Sequence, residues 1–221
     1  MKKSEKRRGI SCATLLWLFV FGSVAGFVIE GLWCVARKGH WENHASTVWG
    51  AFCIIYGIGA VAVYLLASLL GNKPTAVQFA VFTVSGGVIE YGGSLLQERL
   101  FGSVSWDYSG HFLNLGGRVS LQMALTWGVL GILFLRLLFP ALRRLLNQMR
   151  GGAWRLACLC MTVYMAVNLS VSAAAVTRWR ARLDGCPAES SVARWLDQAY
   201  DDDAMTARYP NMRFVDTDDA V

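Results

Sequence analysis

Five apolar runs of about 20 residues, the length that spans a bilayer core, lie at residues 13–35, 49–70, 77–96, 119–139 and 156–176. With 55% of the chain hydrophobic and only 16% charged, 221 residues cannot offer water the polar surface of an ordinary soluble domain. In lipid every backbone amide must bond within its own segment, so runs of this length fold as helices. The expected fold class is all-α: a polytopic membrane helix bundle of about five transmembrane helices.

Two of the runs share a pattern. Gly26-Phe27-Val28-Ile29-Glu30 recurs as Gly86-Gly87-Val88-Ile89-Glu90 at an offset of 60 residues, and the match continues loosely upstream through Val24/Val84 and Ser23/Thr83. The repeat reads as a duplicated unit of one glutamate-bearing helix and one return helix, giving a parallel two-helix internal repeat. The expected organisation is a basic cytoplasmic N-terminus at 1–12 and a four-helix duplicated membrane core at 13–145. A fifth transmembrane helix with a preceding basic linker follows at 146–177, and a polar acidic tail at 178–221.

Charge sets orientation. Residues 1–177 hold 15 Lys/Arg against 6 Asp/Glu, and 178–221 hold 6 against 9. A basic membrane core is explained by positive-inside anchoring, and nucleic acid is not an expected partner. Lys2, Lys3, Lys6, Arg7 and Arg8, with Lys73 and the Arg143–Arg155 group, place the N-terminus on the cytoplasmic side of the membrane. Arg178, Arg180 and Arg182 pull the other way. Ser23-Val24-Ala25 imitates a signal cleavage site, but the apolar run continues to Val35, so the segment reads as a retained anchor.

In the tail, Val192, Trp195, Leu196 and Ala199 fall on one helical face behind a Ser190/Ser191 cap signal. A short amphipathic helix on the membrane or another subunit, and a disordered tail, both fit. Asp201-Asp202-Asp203 lacks the spacing of a calcium loop.

Glu30 and Glu90 are the sharpest chemical features, because an acidic group inside a span costs on the order of 2–4 kcal/mol and must be neutralised, paired or hydrated. Gly22, Gly26 and Glu30, like Gly86, Glu90 and Ser94, are spaced by four. Such small-residue faces pack against other helices and turn both carboxylates inward. Arg118 opens the fourth helix at the same level, so an Arg118–Glu pair is allowed. The site is either a proton- or cation-binding site or a structural lock between the repeats.

The 99–118 connection, with Trp106-Asp107-Tyr108-Ser109-Gly110-His111, is too polar for lipid yet aromatic, and belongs at the interface or folded between helices. Asp107 and His111 could serve as an acid/base pair but read equally as interfacial hydrogen-bonding groups. His40 and His44 supply only two convincing ligands, so they read as loop histidines rather than a zinc site. Six cysteines form no framework, and Cys158 and Cys160 diverge around their helix. No phosphate loop or nucleophile elbow is present. No enzymatic activity, metal or cofactor is expected.

Four motifs occur in order: a glycine before each intramembrane glutamate, Gly50-Ala51-Phe52-Cys53-Ile54-Ile55-Tyr56-Gly57-Ile58-Gly59, Trp106-Asp107-Tyr108-Ser109, and Asn114 followed by Gly117-Arg118. Together, over about residues 15–145, they resemble the bacterial family called putative ABC-transporter type IV, or CmpB-like, related to eukaryotic transmembrane protein 229. The pattern departs at Ala51 and Ile54, where prolines are usual, and at Glu42-Asn43-His44-Ala45, which replaces an Asn-Arg-Gly approach. The resemblance implies a multi-pass permease-type membrane protein. The expectation is a transporter subunit whose site draws on Glu30, Glu90, Arg118, Asp107, Tyr108 and Asn114, the alternative being a non-transporting scaffold or regulator. Its expected partners are the lipid bilayer, further copies or other membrane subunits, and a separate cytoplasmic ATPase.

Overall fold

The structure, a computed structural model, describes residues 11–148 and 151–215. The basic residues at 1–10, Arg150 of the linker, and the acidic residues after Val215 lie outside this range.

Helix α1 spans Cys12–Lys38. It opens at Ser11, whose hydroxyl accepts the Thr14 amide hydrogen, and closes at Gly39 in the left-handed conformation (φ 78°). Helix α2 covers Ile54–Leu70 only. The expected start at residue 49 is not helical: Gly50 has φ 76° with the Phe52 ring folded over it, and the Ser46 amide donates to the Phe52 carbonyl. At 1.5 Å per residue α2 is about 26 Å long, slightly short of the hydrocarbon core.

Helix α3 spans Thr75–Phe101. Helix α4, Leu121–Leu133, starts at a Ser120 cap and runs through a π turn, Phe134–Leu138, into α5, Phe139–Gln148. Pro140 explains the turn: it has no N–H to give the carbonyl one turn earlier, and the helix widens there. Helix α6, Gly152–Leu183, has 32 residues and extends beyond the predicted span. Two short helices follow, α7 (Ser191–Ala199) and α8 (Asp202–Arg208). Strand β1 (Ser103–Val104) pairs antiparallel with β4 (Arg213–Phe214), and β2 (Asn114–Leu115) with β3 (Val119–Ser120).

Four helical segments, Cys12–Lys38, Thr75–Phe101, Leu121–Leu146 and Gly152–Leu183, are long and apolar enough to cross a membrane, and α2 is a shorter apolar fifth. Helices α1 and α2 form one hairpin and α3 and α4 another; α2 packs on α3, and α6 closes against α1 and α3. Both hairpins use the same docking device. In the first, Gly57 meets Ser23 and Tyr56 lies against Gly26; in the second, Gly128 meets Thr83 and Trp127 lies against Gly86. A Cβ at Gly26 or Gly86 would come within 2.2 Å of the facing Tyr56 or Trp127 side chain, so the glycines are what lets these helices approach.

The tail is folded. Ala175, Val176 and Trp179 of α6, Leu196 of α7, Met205 of α8 and Tyr209 bury one another in a small core, with Val48, Phe101 and Phe214 packed around it. The predicted amphipathic face is thus used only at Leu196, while Val192 and Trp195 stay exposed. Arg178 and Arg182 hold Asp197, Arg182 also holds Asp202, and Arg208 donates to the carbonyls of Thr47 and Gly50. The Arg208 contacts join the tail to the connection after α1 and the β1–β4 pairing joins it to the connection after α3, so α1, α3 and α6 all end on one side of the bundle.

Candidate functional site

Glu30 lies one helical turn beyond Gly26, and Glu90 one turn beyond Gly86. The glycine brings an aromatic residue of the facing element to that level in each case. Tyr56, in the first turn of α2, donates its hydroxyl hydrogen to Glu30 Oε1 at 2.5 Å. Tyr108, from the connection between β1 and β2, donates to Glu90 Oε1 at 2.9 Å. Glu90 is 4% exposed, and its Oε2 makes no bond of hydrogen-bonding geometry although the Trp127 indole stands beside it. The Tyr56 and Trp127 rings meet at a centroid distance of 5.1 Å between the two hairpins. The carboxylates lie within electrostatic reach of each other.

The two glutamate helices do not face one another directly. Helix α2 stands between α1 and α3, and the Tyr56–Trp127 pair fills the level of the carboxylates. The reason is side-chain size: glycines on α1, α2 and α3 (Gly26, Gly59, Gly86) each receive one of these two rings.

Arg118 does not pair with either intramembrane glutamate. Its guanidinium binds Glu98 at 2.5 Å and Ser94 Oγ at 3.3 Å, and lies 6.0 Å from the Tyr91 ring. Ser94 and Glu98 lie one and two turns beyond Glu90 toward the end of α3, nearer to the start of α4, so the shorter reach wins. Among the described residues no lysine or arginine forms an ion pair with Glu30 or Glu90.

Asp107 and Asn114 shape the connection rather than the glutamate level. Asp107 Oδ1 accepts from the Ser109 amide and hydroxyl, which hold its carboxyl below the ordinary carboxylate range. Asn114 donates to the Ser109 and His111 carbonyls and accepts from the Gly117 amide. Trp106 Nε1 donates to the Arg118 carbonyl. From this loop Tyr108 reaches the carboxylate of Glu90. His111 stacks edge-on to Tyr108 at 5.3 Å and makes no contact with Asp107 that would form an acid/base pair.

Tyr56 and Trp127 are the residues that sequence reasoning passed over. Each precedes a glycine, and that aromatic–glycine pair in both return helices, Tyr56-Gly57 and Trp127-Gly128, is the signal that marks them.

Four helices of spanning length, a shorter apolar fifth and two inward carboxylates define a multi-pass membrane protein. A family model described as Putative ABC-transporter type IV matches residues 17–173, so the chain belongs to that family, and the match runs into α6 beyond the motifs in the first four helices. No curated protein and no solved structure matches the chain.

Proposed function

We propose that the protein is a permease-type subunit of a membrane transporter, in which Glu30 and Glu90 form a polar site that takes up a proton or small cation. The observation that supports this reading most is that both carboxylates are held by neutral tyrosine hydroxyls and by no cation among the described residues. A carboxylate in a span without a basic partner requires a neutralising ion or proton, and an equilibrium that can be loaded and unloaded is what coupling needs. The site involves no covalent chemistry, and the reading assigns no enzymatic activity.

On this reading the unit of one glutamate helix and one return helix is duplicated. The N-terminus lies in the cytoplasm of a bacterial cell membrane, and the folded tail lies outside. The cytoplasmic end then carries α5 with Arg143 and Arg144, the surface on which a separate ATPase would dock. Five apolar helices are few for a solitary carrier, which favours assembly with further copies or other membrane subunits.

The test is purification of the tagged full-length protein in mild detergent, identification of what remains bound, and sizing of wild type beside Glu30→Gln/Glu90→Gln. A stoichiometric ATPase whose turnover falls at least tenfold in the double variant, with the assembly intact, is the expected result. A lone homo-oligomer that dissociates in the double variant would overturn it and make the glutamates a structural lock.

A further inference from the structure

We propose that Cys34, Glu42 and His44 form a zinc site at the end of the bundle where α1 meets its following connection. The proposal is independent of the transport reading.

The three groups converge from elements far apart in chemical role. Cys34 sits in the last turns of α1, one turn beyond Glu30, and is 4% exposed. Glu42 and His44 lie on the connection that folds back over that turn, with side chains 17% and 22% exposed. Cys34 Sγ is 3.2 Å from His44 Nε2 and 3.7 Å from Glu42 Oε2, and His44 Nε2 is 3.8 Å from Glu42 Oε2. A tetrahedral zinc with bonds of about 2.3 Å to sulfur and about 2.0 Å to nitrogen and oxygen needs ligand–ligand edges of roughly 3.2–3.6 Å. The three edges present need to change by only a few tenths of an ångström.

The chemistry of the set selects the ion. One thiolate, one imidazole and one carboxylate suit zinc and its neighbours, whereas magnesium and calcium call for oxygen alone. Three protein ligands leave the fourth position to water or another ligand. Binding exchanges the Cys34 thiol proton for the metal, releasing one proton to solvent.

The site is also held in shape before any ion arrives. The Trp41 ring packs onto Gly31, where a Cβ would lie 2.2 Å away, and tilts against Phe27 at 5.5 Å. Asn43 Oδ1 accepts the Ala45 amide, which fixes the turn between the two loop ligands. Lys38 Nζ and His40 Nε2 contact Glu42 Oε1 at 2.7 and 3.2 Å, and this orients the carboxylate with Oε2 toward the cysteine and histidine. Lys38 also reaches Oε2 at 2.8 Å, and metal binding requires that this second contact lengthen.

Full-length protein in detergent, stripped with a chelator, is titrated with zinc chloride against a chromophoric competitor, and bound metal is counted by elemental analysis. One zinc per chain is expected in the wild type, with affinity at least about tenfold weaker in His44→Gln and in Glu42→Gln. Cobalt(II) in place of zinc gives a thiolate charge-transfer band that Cys34→Ser abolishes, while His111→Gln leaves both readouts unchanged. Because Cys34 is buried, the two loop variants decide the matter if Cys34→Ser does not fold. Less than stoichiometric zinc in the wild type overturns the proposal, as does zinc bound undiminished by His44→Gln and Glu42→Gln.

Discussion

At the scale of single residues, the hydroxyl of Tyr108 is the clearest handle on the buried carboxylate. Tyr108→Phe leaves Glu90 with neither oxygen bonded in a site 4% exposed. A buried acceptor that loses its donor costs about 1–3 kcal/mol, so thermal unfolding in detergent should fall correspondingly. The same substitution in a Glu90→Gln background should cost less, and a double-mutant cycle would read the difference as coupling. Glu30 and Glu90 were legible in the sequence because a carboxylate in an apolar run is conspicuous. Tyr108 stood beside them as a site candidate and Tyr56 did not, and neither pairing was readable, since Tyr56 and Tyr108 stand 26 and 18 residues away and reach them only after the chain turns back. Arg118 was legible as a charge at the right depth, but its choice of Glu98 depends on reach across the end of α3.

At the scale of the helices, close approach at glycine is the quantity to perturb. Gly86→Ala drives a methyl into Trp127, and Gly26→Ala into Tyr56. Overpacking of this kind costs about 1–3 kcal/mol, and the loss should show as a lower melting temperature of the purified protein. Gly92→Ala is the internal control: nothing lies within 4 Å of the added Cβ, so better helix propensity should leave the protein unchanged or slightly more stable. The spacing of small residues by four was readable beforehand, whereas the identity of the ring that each accepts was not. The shortened α2 has a similar lesson. Hydropathy scores the preference of residues 49–53 for lipid, but Gly50 and the fold of Phe52 over it hold that segment out of the helix.

At the scale of the whole molecule, the tail ties together the ends of α1, α3 and α6. Asp197 is its electrostatic pin: the Arg178 guanidinium, with Arg182 beside it, holds the carboxyl below the ordinary carboxylate range. A depressed carboxylate contributes stability that is present above its unfolded pKa, about 3.9, and is lost as pH falls through the folded value. Protease access or hydrogen exchange of α7 should therefore rise between about pH 5 and pH 2, and Asp197→Asn should remove most of that pH dependence. A multi-pass helical membrane fold and the presence of two acids within its apolar runs followed from the sequence alone, because lipid demands long apolar helices and taxes every charge placed in them. The partners of those acids, the π turn at Phe134–Leu138, the folding of the tail onto α6 and the meeting of Cys34 with Glu42 and His44 were decided only by tertiary structure. Each depends on which surfaces come within a few ångströms once helices pack, and residue type and spacing along one chain do not carry that distance.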